Sequence, residues 1–271
     1  MVIVVPIKQV PETSNVQMDS VTGVMIRSGS KAILNPLDLY AIESALRYKE
    51  ACDARVIAVT MGPQSAMKVL KEAIAMGCDD AVHISDRAFA GADTWSTSYT
   101  LAKAIAGMGK VDLIITGERA TDGDTGQVGP EIASWLNLPL VTYVSQLIEM
   151  RSDSMMVKRM TEEGYQKLEV TLPALITVLK EVATVRLSTL KGKMRAMDMI
   201  IPTRTVKDLD VEPSYLGLKG SPTKVVKIEQ ARVKRDALII EAMEADKVPD
   251  AVISLFDFLE DKQLLEKGES R

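Results

Sequence analysis

The chain has 271 residues, 46% of them hydrophobic and 26% charged, with a formal net charge of −4. These values are those of an ordinary globular protein, and the length suits one large α/β domain or one domain with an appended arm. The acidic balance and scarce aromatic residues exclude a nucleic-acid-binding surface, and the short apolar runs without a signal peptide predict a cytoplasmic protein with no membrane insertion.

The first half of the chain alternates short apolar runs with segments of helical periodicity. Strands are predicted at residues 2–5, 55–60, 81–84 and 111–116, and helices run from Asn35-Pro36 to about residue 51, from the Gly62-Pro63 turn to about residue 76, and over residues 95–106. Asn35 suits an N-cap and Pro36 a first helical turn. Continuous Val/Ile runs between helices indicate an α/β fold, a mostly parallel doubly wound sheet with helices on both faces, whose ligands bind beyond the strand ends.

Three other regions do not follow this alternation. Residues 16–27 are predicted to form a hairpin, and residues 146–160 and 167–170 an antiparallel pair followed by a strand at 174–179. The segment 201–223 is rich in Pro, Gly and charge, which predicts an extended arm leading to helices at 228–243 and 249–265. The dense apolar stripe of the last helix docks either on the protein's own core or on another subunit.

Cysteine and histidine are too few for the common metal and nucleophilic sites. The chain contains Cys52, Cys78 and the lone His83, without metal-ligand spacing. We therefore predict two core thiols in a reducing compartment, a histidine that is a satisfied strand residue, and no metal site.

The most informative segment is residues 117–131, Gly-Glu-Arg-Ala-Thr-Asp-Gly-Asp-Thr-Gly-Gln-Val-Gly-Pro-Glu, directly after a predicted strand. We call it the glycine loop. Its glycines Gly123, Gly126 and Gly129 let backbone N–H groups approach a bulky anion such as a nucleotide phosphate. The spacing is neither that of a Rossmann fingerprint nor that of a P-loop.

Two geometries are open for the glycine loop. Asp124 and Gln127 fit a capping box on a helix that starts at Thr125, although Pro130 would strain that helix. Alternatively, the regular helix begins at Pro130 and the residues before it form an anion-binding nest. A tight strand-to-helix connection without any ligand is the structural alternative to both.

Two later motifs resemble those of electron-transfer flavoprotein β subunits. They are Val157-Lys-Arg-Met-Thr-Glu-Glu-Gly-Tyr-Gln-Lys-Leu168 and Pro173-Ala-Leu-Ile-Thr177. The glycine loop, the opening Val4-Val5-Pro6-Ile7-Lys8, the Asn35-Pro36 helix start and the Gly62-Pro63 turn are similar to the same family. The resemblance therefore covers nearly the whole chain.

This resemblance implies a heterodimer with an α subunit, whose FAD exchanges electrons with a dehydrogenase of the acyl-CoA or 2-hydroxy acid type. It also implies a nucleotide in this chain and no side chain that acts as a catalytic acid or base. The implied contacts are Ile7, Asn35, Pro36, Leu37, Asp38, Met61, Ala120, Thr121, Asp122, Gly123, Asp124, Thr125, Gly126, Gln127, Val128 and Gly129.

The family has two branches, and the nucleotide differs between them. Simple carriers hold a structural AMP. In the electron-bifurcating branch a second FAD is reduced by NADH, and one electron goes to ferredoxin or flavodoxin while the other goes to a dehydrogenase through the α-subunit FAD. Residues 122–130 resemble the bifurcating type. Extra glycines also suit the longer path of FAD, so we expect FAD, with AMP as the alternative.

The resemblance further implies a division of the chain and a docking residue. Residues 1–200 form the nucleotide-binding domain, and residues 201–271 form an arm and helices that pack on the α subunit. Leu190 aligns with the leucine that anchors dehydrogenases, although Lys191 replaces the proline that commonly follows it. A buried helix residue is the alternative for Leu190.

Overall fold

The computed structural model describes residues 1–12, 31–226, 239–240 and 242–264. The chain divides into two compact units, Met1–Lys224 and Val225–Arg271. The predicted hairpin at 16–27 and most of the predicted helix at 228–243 lie outside the described residues.

The described part of the first unit contains a nine-stranded sheet. Its strands are β1 (Val2–Pro6), β4 (Arg55–Met61), β5 (Asp80–Ile84), β6 (Leu113–Gly117), β7 (Leu140–Met150), β8 (Ser154–Thr161), β9 (Gly164–Thr171), β10 (Ala174–Val178) and β11 (Thr203–Arg204). Their order in the sheet is β11-β5-β4-β1-β6-β10-β7-β8-β9. A separate antiparallel pair joins β2 (Gln9–Pro11) to β3 (Ala32–Leu34). Only the pairs β7–β8 and β8–β9 are antiparallel in the large sheet, which confirms the mostly parallel fold.

Helices cover both faces of this sheet. They are α1 (Pro36–Cys52), α2 (Met67–Met76), α3 (Thr94–Ala106), α4 (Val128–Leu136), α5 (Leu190–Asp198) and α6 (Gly217–Gly220), and the second unit contains α7 (Val248–Asp261). Alternate residues of a strand point to opposite faces. Ile3 and Val5 therefore pack in one buried cluster with residues of α1 and α2, while Val4 packs in a second cluster with residues of α3 and α4.

One predicted strand is wrong in its extent. Residues 146–160 form the end of β7 and most of β8, which are separated by a turn at residues 151–153. The turn, Arg-Ser-Asp, contains neither glycine nor proline and is marked only by polar residues, which also occur on the exposed face of a strand. The predicted antiparallel pair is thus a three-stranded meander, and its second turn at residues 162–163 lies where it was expected.

The segment predicted as an extended arm is integrated into the first unit up to residue 224. Its strand β11 pairs in parallel with β5, and Leu216 is buried. Tyr215 joins an aromatic cluster with Trp95, Tyr99 and Trp135, whose ring centroids lie 4.9–6.4 Å apart. These aromatic contacts, the pairing of β11 and the buried Leu216 attach to the first unit a segment whose Pro- and Gly-rich composition predicted an extended arm.

In the second unit, α7 is amphipathic, and Val252, Ile253, Leu255, Phe256 and Phe258 are exposed. Its location agrees with the predicted last helix at 249–265. No helix in the described ranges is long and apolar enough to span a membrane.

The buried carboxylate of Glu43 connects α1 to the segment after β10 through hydrogen bonds with Arg186. Arg186 donates from Nε to Glu43 at 2.8 Å and from Nη1 to Glu50 at 2.6 Å. The side chain of Glu43 is only 4% exposed and also accepts from Arg47 at 3.0 Å. Burial raises the pKa of Glu43, but the hydrogen bonds from the two arginines outweigh that effect and hold the pKa below its ordinary value.

We therefore expect Arg186→Ala to lower the free energy of unfolding by about 2–3 kcal/mol, because the Glu43 carboxylate stays buried with one cation instead of two. Chemical denaturation at pH 7 measures this loss. The matched control is Arg151→Ala, which breaks an exposed pair with Glu149 and should leave stability unchanged. Equal stability of the two variants would contradict the prediction.

Candidate functional site

A cavity of about 680 Å³ lies at the carboxyl ends of β1, β4, β5 and β6. The chain runs from β1 to β4 and β5 on one side of the sheet and returns to β6 on the other side of β1. The crevice beside such a reversal is where open α/β sheets bind ligands. Its volume is in the range of roughly 300–1,000 Å³ that small-molecule sites occupy.

The cavity brings together ten of the predicted contact residues. They are Ile7, Asp38, Met61, Ala120, Gly123, Thr125, Gly126, Gln127, Val128 and Gly129. Six others do not line it, namely Asn35, Pro36, Leu37, Thr121, Asp122 and Asp124. Leu190 also lies outside the cavity lining, and its role in docking stays a prediction.

Asn35 holds the glycine loop against the start of α1. Its Nδ2 donates to the carbonyl of Arg119 at 3.0 Å, and its Oδ1 accepts from the N–H of Thr121 at 3.2 Å. Asn35 does occupy the N-cap position, but its side chain makes no capping hydrogen bond. The residue therefore orders the loop that faces the cavity, and its contact with a nucleotide stays a prediction.

The glycine loop is closer to the second expected geometry, in which the regular helix begins near Pro130, than to the first, in which it begins at Thr125. Helix α4 begins at Val128 with Gln127 at its N-cap, and Asp124 has a left-handed φ of 55°. The capping box at Asp124 is therefore wrong. Starting the helix at Val128 keeps Pro130 within the first turn, where its missing N–H costs no intrahelical hydrogen bond.

The two carboxylates of this loop are neutralised by cations of the same site. Asp122 accepts from Lys8 Nζ at 2.7 Å, and Asp124 pairs with Arg119 Nε at 3.0 Å. Both side chains lie outside the cavity lining, while Lys8 and Arg119 belong to it. Repulsion between these carboxylates and a bound phosphate is thereby reduced.

Asp38 is the buried acid of the site. It is 6% exposed and accepts from the backbone N–H of Lys8 at 2.8 Å. Desolvation raises its pKa from 3.8 to about 7, although hydrogen bonds from Asn35, Lys8 and Gly117 act in the opposite direction. A Cβ added to Gly117 would lie 2.6 Å from Asp38 Oδ1, so a glycine is required beside this carboxyl.

One wall of the cavity is formed by residues that were not predicted from the sequence. Residues of the loop after β5 and of the first turns of α3 form this wall, and they are Ser85, Asp86, Arg87, Phe89, Ala90, Gly91, Ala92, Asp93, Thr94 and Thr97. Asp93 caps α3 by accepting from Ser96 N at 3.0 Å. Thr94 joins the wall to the glycine loop through Gln127 at 3.2 Å and Glu131 at 3.1 Å. The loop after β5 follows a parallel strand, as the glycine loop does. That position in the sequence was the signal that could have predicted this wall of the cavity.

The expectations for histidine and cysteine are largely confirmed. His83 is fully buried in β5, and its Nε2 lies 3.0 Å from the carbonyl of Gly62. Both cysteines are free; Cys78 is buried and Cys52 is half-buried. Burial raises the pKa of the Cys78 thiol to about 12, which makes it inert. The described residues contain no cluster of ligands for a metal ion.

Leu190 is the first residue of α5 and is 76% exposed, so it is not the buried helix residue of the alternative interpretation. Thr189 caps the helix by accepting from Gly192 N at 2.9 Å. Met194 and Met197 are also exposed on α5. Three large apolar side chains therefore stand on one short helix among basic residues.

Fold and site together define an α/β protein with a ligand cavity at the switch point of its sheet, bordered by a glycine loop that leads into a helix N-terminus. Comparison with known proteins agrees with this class. Residues 22–209 match the family described as the electron transfer flavoprotein domain. That match covers most of the first unit.

The relatives are similar over nearly their full lengths. The chain is 44% identical to electron transfer flavoprotein subunit beta of Clostridium acetobutylicum, over 88% of this chain and 92% of that protein. It is 43% identical to caffeyl-CoA reductase-Etf complex subunit CarD of Acetobacterium woodii, over 93% and 96%. It is 41% identical to acryloyl-CoA reductase electron transfer subunit gamma of Anaerotignum propionicum, over 93% and 97%. The chain belongs to the electron transfer flavoprotein family, in which it is a β subunit.

Proposed function

We propose that this chain binds FAD in the cavity and, paired with an α subunit, serves flavin-based electron bifurcation. NADH is the electron donor, ferredoxin or flavodoxin receives one electron, and a dehydrogenase receives the other through the α-subunit FAD. The observation that carries the proposal is the cavity at the switch point, lined by the glycine loop and the start of α4. The two free cysteines suit the reducing cytoplasm that we expect.

The residues present fit a nucleotide with a pyrophosphate. Helix α4 presents its first N–H groups to the cavity, where the partial positive charge of the helix favours an anion. Gly126 has a φ of +65°, a conformation that lets the backbone turn closely around a ligand. Lys8 and Arg119 at the rim neutralise the two carboxylates of the loop, which reduces their repulsion of a phosphate.

When bound, FAD would accept a hydride and release electrons one at a time. The chain's own residues bind and orient the nucleotide: the glycine loop supplies backbone donors, and Asn35 keeps that loop in place. No side chain needs to move a proton.

The names of two relatives support a dehydrogenase partner that acts on CoA thioesters. One is a subunit of a caffeyl-CoA reductase-Etf complex and the other an electron transfer subunit of an acryloyl-CoA reductase. We therefore favour the acyl-CoA type over the 2-hydroxy acid type for this chain.

The experiment that tests the cofactor is a count of the nucleotides released when the purified heterodimer is denatured. Two FAD per heterodimer support the proposal. One FAD and one AMP would instead make the protein a non-bifurcating carrier whose β subunit holds a structural AMP, which is the alternative function. Reduction of both flavins by NADH under anaerobic conditions tests the donor separately.

Leu190→Ala tests the docking prediction. Truncation of an exposed anchor should lower electron delivery to the dehydrogenase about fivefold or more, because a few apolar residues carry most of the energy of such contacts. Reduction of flavin by NADH should stay at the wild-type rate, since Leu190 does not line the cavity. Ile200→Ala is the control, because Ile200 is 92% exposed just beyond the end of α5. Equal delivery by both variants would remove Leu190 as the anchor.

A further inference from the structure

One hydroxyl in the cavity is buried without a hydrogen-bond partner among the described residues. Thr116 lies near the end of β6, is 7% exposed and lines the cavity, and its Oγ1 contacts neither donor nor acceptor there. A buried hydroxyl that has given up its bonds to water is unfavourable unless another partner replaces them. A ligand in the cavity can supply that partner.

The position of Thr116 indicates what kind of ligand atom this is. The hydroxyl lies directly beneath the first turn of α4, since a Cβ on Gly129 would lie 2.6 Å from Thr116 Oγ1. The N–H groups of Val128 and Gly129 open the helix, and they have no acceptor within the part of the chain that the structure describes. An anionic oxygen is favoured here, because the place offers two backbone donors, the positive end of a helix and a hydroxyl that can donate.

A neighbouring threonine differs from Thr116, because its hydroxyl oxygen has a hydrogen-bond partner. Thr177 is paired with Thr116 in the parallel register of β10 and β6, so both side chains lie on the same face of the sheet. The Oγ1 of Thr177, however, accepts from the N–H of Tyr143 at 3.0 Å. Of this pair, only Thr116 Oγ1 has neither a donor nor an acceptor among the described residues.

We propose that the Thr116 hydroxyl donates a hydrogen bond to a phosphate oxygen of the bound nucleotide, beside the N–H groups of Val128 and Gly129. Thr116 is thus a binding residue that fixes the height of the phosphate above the sheet. The assignment rests on the proposed function, since it requires a nucleotide in this cavity. It also gives a reason for Gly129, because a Cβ at that position would lie 2.6 Å from the hydroxyl oxygen and press against it.

The test uses the heterodimer with three substitutions in this chain. Thr116→Val keeps the volume and removes the hydroxyl, Thr116→Ser keeps the hydroxyl, and Thr177→Val makes the same chemical change on the adjacent strand. After removal of nucleotide, FAD and, separately, AMP are titrated back, and the concentration that fills half of the sites is measured. We expect Thr116→Val to need about tenfold more nucleotide, and the other two variants to bind as the wild type does.

The melting temperature of the nucleotide-free protein separates binding from packing. Thr116→Val should melt at the wild-type temperature or above it, because it removes an unpaired hydroxyl, while Thr177→Val should melt lower, because Tyr143 loses its acceptor. Wild-type affinity in Thr116→Val, a defect that serine does not restore, or a melting temperature reduced together with affinity would each overturn the assignment. A wild-type complex whose β site binds neither FAD nor AMP would instead overturn the proposed function.

Discussion

Gly129→Ala should strip the nucleotide from the protein. The added Cβ would lie 2.6 Å from Thr116 Oγ1 and 3.1 Å from Thr177 Cγ2, so the first turn of α4 must move away from the sheet. We expect nucleotide retention to fall at least about tenfold, because the backbone donors leave their positions, and the free energy of unfolding to fall by about 1–3 kcal/mol from overpacking. Cofactor content after gel filtration and chemical denaturation measure the two effects.

Substitutions at two other glycines of the loop separate overpacking from backbone strain, and Gly123→Ala is the matched control. A Cβ on Gly123 would meet nothing within 4 Å, so Gly123→Ala should retain both nucleotide and stability. Gly126 has a φ of +65°, so a residue with a side chain would strain the backbone by about 1–2 kcal/mol there, even where there is room for its atoms. Gly126→Val should therefore lose nucleotide as well, through backbone strain. Normal nucleotide content in Gly129→Ala would show that α4 does not contribute to the site.

Asp38 should make the nucleotide-free protein less stable as the pH rises. Its pKa is about 7 in the folded protein and 3.8 when exposed, so the folded state binds more protons between these values. Stability from this group is complete below about pH 4 and is lost as the pH rises through 7. Between pH 5 and pH 8 the loss is about 2–3 kcal/mol by linkage. Urea denaturation at the two pH values measures it.

Asp38→Asn isolates this contribution, because the amide does not titrate. The difference in unfolding free energy between pH 5 and pH 8 should be smaller in the variant than in the wild type by the amount that Asp38 contributes. Other titrating groups are common to both proteins and cancel. An identical pH dependence in the two proteins would mean that Asp38 is ionised throughout this range.

Local sequence patterns predicted most of the sheet and helices. The strands of the first half appear within one or two residues of their expected bounds, because Val/Ile runs and helical periodicity record which faces are buried. The turn at residues 151–153 was missed, because it carries no glycine or proline. The strand β11 was missed because it has two residues and is held by pairing with β5.

The sequence by itself determined the family, the α/β class and the position of the glycine loop, since motif order and the alternation of strands and helices are local properties of the chain. Only the tertiary structure decided which side chains face the cavity. Asn35 bonds to Thr121, 86 residues away, and Asp38 is buried beside Gly117. Such contacts depend on strand order and on helix placement over the sheet, which no local pattern records. For the same reason the unpaired hydroxyl of Thr116 was visible only after β6, β10 and α4 had been placed together.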